Sequence, residues 1–192
     1  CAGSCRLAYE VLDQQKIINK DNNYPLSAKD LNTLENLESL LELGVDSLKI
    51  EGRMKSPSYV YLVVKLYREA IDSYLLKGKV LFDDKVLHDL KVIFNREYTK
   101  GFLFNEENNS FNNAKHSNHQ GIKLGKVIKC SKHYIDVLLN DDLFIGDGLR
   151  IVGNEETGVI IHEFYLNHQL VKEAHKGDIV SFEVHQSVNV NS

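Results

Sequence analysis

The sequence predicts a mixed fold, an α/β segment followed by an all-β module, and three observations carry that expectation. Apolar residues recur at helical spacing between Leu31 and Phe94, a short apolar stretch at Val45 to Ile50 lies between two such helices, and from Gly121 onward the pattern changes to short β-rich runs. The 192 residues suffice for one medium domain or two small ones, either able to bury a core.

The expected elements follow in order. Leu7 to Leu12 and Lys16 to Asn19 are β-prone, with Asp13-Gln14-Gln15 as the turn of a small hairpin. Ser27 with Asp30 three residues on resembles a capping box, and Leu31, Leu34, Leu37, Leu40 and Leu41 predict a helix that Gly44 ends. Val45 to Ile50 then predicts a strand. Ser56-Pro57 supplies an N-cap and a first-turn proline for a helix reaching about Lys77. Asp83 or Asp84 caps a third helix, in which Val86, Leu87, Leu90, Ile93 and Phe94 share a face. The Asn-heavy stretch from Asn105 to Asn113 predicts loop or linker.

Five strands are expected beyond it: Gly125 to Cys130, Tyr134 to Leu139, Gly148 to Val152, Gly158 to Tyr165 and Asp178 to Val184. Gly-Asp turns at 146–147 and 177–178 precede two of them, and so many short strands in so few residues suggest a small closed β-barrel. The expected domains are residues 1–80 as a partial β/α-barrel end, 81–118 as a helical connector with its Asn-rich loop, and 119–188 as the β-barrel.

A net charge of −4 provides no basic footprint, so nucleic-acid binding would need a local patch. No stretch approaches the ~18 apolar residues of a membrane span, and a cytoplasmic protein with no membrane partner is expected. The opening Cys1 also suits a lipidated lipoprotein, but such chains continue into a polar tether, whereas Cys5 here leads straight into strand-like sequence.

Lys49, Glu51 and Arg53 alternate with Leu48 and Ile50, so on a strand the three charges share one face. Two readings stand. The charges form a structural network, or they make a polar floor for an anionic or carbonyl-bearing substrate at the strand end where barrels place their chemistry. On the second reading Lys49, Glu51 and Arg53 are the candidate catalytic residues, and Arg6, Arg53 and Lys55 the candidate substrate-binding ones. Arginine suits bidentate recognition of carboxylate or phosphate.

Cys1 and Cys5 stand as Cys-x3-Cys, close enough to ligate one metal centre, although such sites normally take four ligands. Unpaired thiols or a disulfide remain open on spacing alone. Cys130 falls in an expected strand and reads as a small core residue, and His116-x2-His119 lacks a partner spaced for zinc.

Taken together, Cys1-x3-Cys5-Arg6, the run Tyr24 to Leu31, the block Gly44 to Val60 containing VDSLKIEGRMKSPS, Tyr67 to Asp72, Phe94-Asn95-Arg96, Lys100-Gly101-Phe102 and His119-Gln120-Gly121 resemble the peptidase U32, or collagenase-like, family. The resemblance implies the end of a TIM-like β/α-barrel followed by a small β-barrel like domain 2 of elongation factors. It implies either a collagenase-like protease or an oxygen-independent RNA hydroxylase acting on tRNA or rRNA, such as one making 5-hydroxyuridine at the tRNA wobble position. For the hydroxylases it further implies a 4Fe–4S cluster, prephenate as hydroxyl donor, and a possible partner subunit of the same family. Cys1 and Cys5 match the second pair of cluster cysteines. The first pair and most of the barrel have no counterpart in this chain, which is therefore expected to be the inactive C-terminal part of a larger enzyme. A non-catalytic RNA- or protein-binding role for the β module is the remaining alternative.

Overall fold

A computed structural model describes residues 3–20, 22–104, 111–152 and 157–184. The chain divides into two compact units, residues 1–122 and 123–192. The first is mixed α/β and the second antiparallel β.

In the first unit a 3-10 turn, Ser4–Arg6, precedes the expected hairpin, whose strands β1 (Leu12–Asp13) and β2 (Lys16–Ile17) pair antiparallel. Gln14 and Gln15 form its two-residue turn with φ of 45° and 66°, the left-handed pair that matches the twist of the flanking strands. The helix expected from Ser27 starts later. Residues Asp30–Leu31 form β3, a 3-10 turn follows at Leu34–Asn36, and α1 covers only Leu37–Glu42. Ser27 and Asp30 are drawn into tertiary bonds instead of capping, and Asn32 Oδ1 accepts from Leu34 N at 3.0 Å in their place.

Residues 45–50 do not form the expected strand, for no ladder partner lies beside them among the described residues. Their alternation persists all the same, with Leu48 and Ile50 packed on the core and Lys49 exposed.

Helix α2 spans Pro57–Lys77. Ser56 Oγ accepts from Tyr59 N at 3.2 Å, Pro57 occupies the first turn, and Gly78 closes the helix at φ 67°. Its Val63, Leu66 and Ala70, spaced three and four apart, meet Leu34, Leu37 and the Val86 and Leu90 of α3 (Asp84–Ile93). Asp83 caps α3 by accepting from Lys85 N.

The polar stretch after α3 belongs to the first unit. Strand β4 (Tyr98–Thr99) pairs in parallel with β3, Lys29 N donates to Phe111 O, Asn113 N to Ser27 O and Gln120 N to Asn95 O. Residues 105–110, most of the Asn-rich run, lie outside the described residues.

The second unit has β5 (Gly125–Cys130), β6 (Tyr134–Leu139), β7 (Leu143–Phe144), β8 (Gly148–Ile151), β9 (Thr157–Ile160), β10 (Phe164–Leu166), β11 (Gln169–Val171), β12 (Glu173–Ala174) and β13 (Ile179–Glu183). A five-stranded antiparallel sheet runs β11-β10-β13-β6-β5, with separate β7/β12 and β8/β9 ladders. No ladder among the described residues closes this sheet into a ring. The strand expected over 158–165 is two strands, because the chain leaves its β8 partner, buries Ile161, and joins β13 through β10.

Period-two burial holds the sheet to its core: Ile135, Val137 and Leu139 of β6 and Val180 and Phe182 of β13 point inward. Both Gly-Asp turns behave alike. Gly146 and Gly177 adopt φ of 96° and 97°, and Asp147 and Asp178 each accept from the backbone N–H three residues earlier, those of Phe144 and His175.

Gly125 lets β5 lie against β6, since a Cβ there would sit 2.5 Å from Leu138 O and 2.8 Å from Val137 Cγ1. Gly125→Ala is expected to destabilise the second unit by about 1–3 kcal/mol, as overpacking does. Urea unfolding followed by Tyr134 and Tyr165 fluorescence would measure it, and an unchanged midpoint would show that β5 shifts without cost.

Candidate functional site

The β3/β4 ladder sets Asp30 opposite Tyr98, and the residues alternating along the approach to β4, Phe94, Arg96 and Tyr98, gather beside it. Arg96 clasps the Asp30 carboxylate with both ends of its guanidinium, Nε at 3.3 Å from Oδ2 and Nη2 on Oδ1. This is the planar fork that makes arginine the usual partner of carboxylates.

The turn between Ile50 and α2 delivers a second cation. Gly52 lies so close to α2 that a Cβ would fall 2.6 Å from Val60 Cγ2, Met54 adopts φ 64°, and Lys55 N donates to Gly52 O at 3.0 Å. This tight return aims Lys55 inward. Its Nζ lies 3.8 Å from Asp30 Oδ2, 3.0 Å from the centroid of Phe94 and 5.0 Å from that of Tyr59. Phe94 also stacks on His119 at 5.4 Å, meets Tyr59 edge-on at 5.7 Å and faces the Arg96 guanidinium at 5.1 Å. His119 is fixed by accepting at Nδ1 from the N–H groups of Asn95 and Gly121.

Arg6 is the third cation. Its Nη1 donates to Ser27 Oγ at 2.6 Å and to Ala28 O at 2.8 Å, while Ser27 in turn donates to His116 O. Burial, then the charge of Arg96, lowers the Arg6 pKa, against opposing pulls from Cys5 and Asp30. Lys55 falls to about 8, first through burial and also through the Arg96 and Arg6 charges, with Asp30 acting the other way. Its ammonium is wholly buried and has no hydrogen-bond acceptor among the described residues. The Tyr98 hydroxyl is likewise buried with no hydrogen-bond partner among the described residues, and burial raises the pKa of Tyr98 and of Tyr59. Three cations thus surround one carboxylate beneath an aromatic wall.

The residues singled out from sequence divide accordingly. Arg6 and Lys55 are in this cluster. Lys49, Glu51 and Arg53 are exposed, and Glu51 Oε1 accepts from Arg53 N in a local turn. Cys5 is exposed and adjoins Arg6, Cys1 lies outside the described residues, and Cys130 is half-buried against the core of the second unit. No group of three or more His, Cys, Asp or Glu among the described residues is arranged for a metal ion. Asp30, Arg96, Phe94, Tyr59 and Tyr98 were not anticipated. The alternation Phe94, Arg96, Tyr98 is the signal that marks them.

The sequence profile of peptidase family U32 matches residues 1–113, the segment that contains the cation cluster. The chain belongs to peptidase family U32. A collagenase of Porphyromonas gingivalis is 32% identical over 98% of this chain and 48% of its own length. The tRNA hydroxylation protein P of Escherichia coli is 40% identical over 47% of this chain and 19% of its own. A crystal structure of the C-terminal domain of a Geobacillus thermoleovorans protein described as a U32 peptidase overlaps 35% of this chain and 83% of its own at a TM-score of 0.34 and 19% identity. This U32 chain spans about half the length of the curated relatives it matches over nearly its whole extent.

The Lys55 environment fixes the sign of a pH effect. Its folded pKa lies below the unfolded value of 10.5, so between about pH 8 and 10 the unfolded chain binds more protons and the stability contributed by this site rises with pH. Above pH 10 the raised Tyr98 and Tyr59 oppose that gain. Denaturant unfolding from pH 7 to 10 should show the native chain gaining stability relative to Lys55→Met; parallel curves would show that Lys55 is solvated.

Proposed function

We propose that this U32 chain is the C-terminal part of an RNA-hydroxylating enzyme that converts a pyrimidine of tRNA or rRNA, such as the wobble uridine, to its 5-hydroxy derivative without oxygen. The observation that carries the reading is the cluster of Arg6, Lys55 and Arg96 walled by Phe94, Tyr59 and Tyr98. Recessed cations beside aromatic faces are the chemistry that holds an anionic co-substrate and a flat base together. Prephenate is the proposed hydroxyl donor. Its carboxylates suit the guanidinium fork, and the relatives with RNA-hydroxylation names support the choice of reaction. On this reading the first unit closes a β/α-barrel and the second is an elongation-factor-like β-barrel that docks RNA or a partner subunit.

A 4Fe–4S cluster would supply the redox chemistry. The donors in this chain do not complete such a site, since Cys5 is the one described thiol of the first unit and Cys130 lies in the second. Cys1 and Cys5 are proposed as two of its four ligands.

A second reading, a collagenase-like protease, is favoured by the extent of the match: the collagenase aligns with nearly all of this chain, the tRNA hydroxylation protein with less than half.

Deleting the gene and quantifying modified nucleosides in tRNA and rRNA by mass spectrometry separates the two. Loss of a 5-hydroxypyrimidine, restored by the native gene and not by Cys5→Ala, is the expected result, with iron content falling in Cys5→Ala and unchanged in Cys130→Ala. Unaltered nucleosides together with cleavage of denatured collagen by the purified protein would establish the protease.

A further inference from the structure

The outward face of the second unit's five-stranded sheet holds a separate set of polar and aromatic groups. The ladders place Tyr165, Ser181, Asp136 and Lys129 side by side across β10, β13, β6 and β5, and the next outward row pairs Glu183 with Tyr134. Tyr134, Asp136, Tyr165, His168 and Ser181 line a depression of about 390 Å³, a volume within the range of small-ligand sites. At its centre Ser181 Oγ donates to Asp136 Oδ1 at 2.6 Å, which leaves Asp136 Oδ2 without a donor among the described residues. Tyr165 stands beside Ser181, Tyr134 two residues along the strand from Asp136, and neither ring stacks on another among the described residues. Asn167 and His168, with φ of 51° and 64°, make the tight turn from β10 to β11 that sets His168 in the lining. Lys126 and Lys129 are exposed on the adjoining edge strand β5, opposite Leu138 and Asp136, and neither forms an ion pair among the described residues.

We infer that this depression takes one unpaired nucleotide of a single-stranded RNA, its base against Tyr134 and Tyr165, its amino edge donating to Asp136, and its flanking phosphates beside Lys126 and Lys129. The inference rests on the RNA reading of the enzyme given above and assigns the second unit's part in it to named residues. Exposed tyrosines on a sheet give bases a π-face to stack on, and an unpaired base is the form of RNA whose face and edge are both free. The central carboxylate is an acceptor only, so it favours a base with an exocyclic amino group, cytosine or adenine, over uracil, whose carbonyl oxygens it repels. A neutral base also suits the mixed charge of the face. A lysine or arginine side chain reaching Asp136 would meet Lys129 across the ladder, whereas a base carries no charge to oppose. Glu163 and Glu183 beside Tyr165 keep phosphates away from that side, which leaves the β5 lysines as their place. Affinity therefore comes from stacking and the base edge more than from phosphate, and its salt dependence is shallow.

Fluorescence anisotropy of end-labelled hexacytidylate, hexaadenylate and hexauridylate, titrated with the 192-residue chain at several salt concentrations, tests the site. Saturable binding of the first two is expected, with hexauridylate severalfold weaker and a slope of log K against log salt of about −1.4, about −0.7 for each of two phosphates. Tyr134→Ala and Tyr165→Leu should each weaken hexacytidylate binding about tenfold, while Tyr165→Phe, which keeps the ring, should bind as the native chain does. Asp136→Asn should raise hexauridylate toward hexacytidylate, because an amide can donate to a uracil carbonyl. Lys129→Gln should halve the salt slope, and Lys77→Gln, an exposed change on the first unit, should alter nothing. Circular dichroism confirms the fold of each variant, and the exposed Tyr134 keeps the test available should Tyr165→Leu unfold. RNA bound equally by the native chain, Tyr134→Ala and Tyr165→Phe would put the contact elsewhere and overturn the inference. So would no RNA binding together with saturable binding of hexalysine, which would make the face a protein-docking surface. Both failures are distinct from failure of the hydroxylase reading, since the loss of a 5-hydroxypyrimidine on gene deletion reports the reaction and not this surface.

Discussion

The first unit is organised around one carboxylate. A parallel ladder of two residues is too short to hold two distant segments together unaided, yet β3 and β4 lie side by side, sixty-odd residues apart in the chain. The Asp30–Arg96 fork fastens them: the backbone N–H of Asp30 donates to Glu97 O while its side chain grips Arg96. Lys55 brings the turn before α2 to the same carboxylate. Removing one member of such a recessed ion pair typically costs about 3–5 kcal/mol, because the partner is left buried and unmatched. Position 30 therefore governs the fold of this unit as well as the charge of its site.

Phe94 is the apolar counterpart of Asp30. It receives the Lys55 ammonium, the Arg96 guanidinium and the His119 ring, and His119 ties the far end of the polar segment through the Asn95 and Gly121 amides. Cation–π contacts of this kind contribute roughly 0.5–2 kcal/mol, rising as water is excluded. The same ring thus lowers the penalty of burying Lys55 and anchors a segment with little apolar surface of its own. Asparagines do the rest, Asn113 by donating to Glu97 and Asn112 by donating to Pro25 O.

That division explains what could be read from the amino-acid order. The α2 and α3 helices and both Gly-Asp turns were legible because each depends on local rules, a capping side chain, an apolar stripe or a glycine at positive φ. Residues 45–50 have the alternation of a strand, but a strand also needs neighbours, and none lies beside them. Ser27 and Asp30 had the spacing of a cap, which Arg6 and Arg96 outcompete from 21 and 66 positions away. Of the site, Arg6 and Lys55 were legible as cations near informative motifs. Asp30 and Phe94 were not, because a carboxylate that balances three remote cations looks in sequence like any first-turn acid.

Charge also separates the two units in what each can meet. The chain as a whole is acidic, at −4, while the excess positive charge of the site is local to the first unit. On the outward face of the second unit's sheet Ser181 donates to Asp136, and Tyr165 has its pKa raised chiefly by Glu163, with Tyr134 and Glu183 contributing. The face is mixed in charge, since Lys129 stands opposite Asp136 and Lys126 opposite Leu138 in the β5/β6 ladder. The aromatic cation cluster sets three cations about one carboxylate, a local excess of positive charge that the mixed sheet face of the second unit does not have.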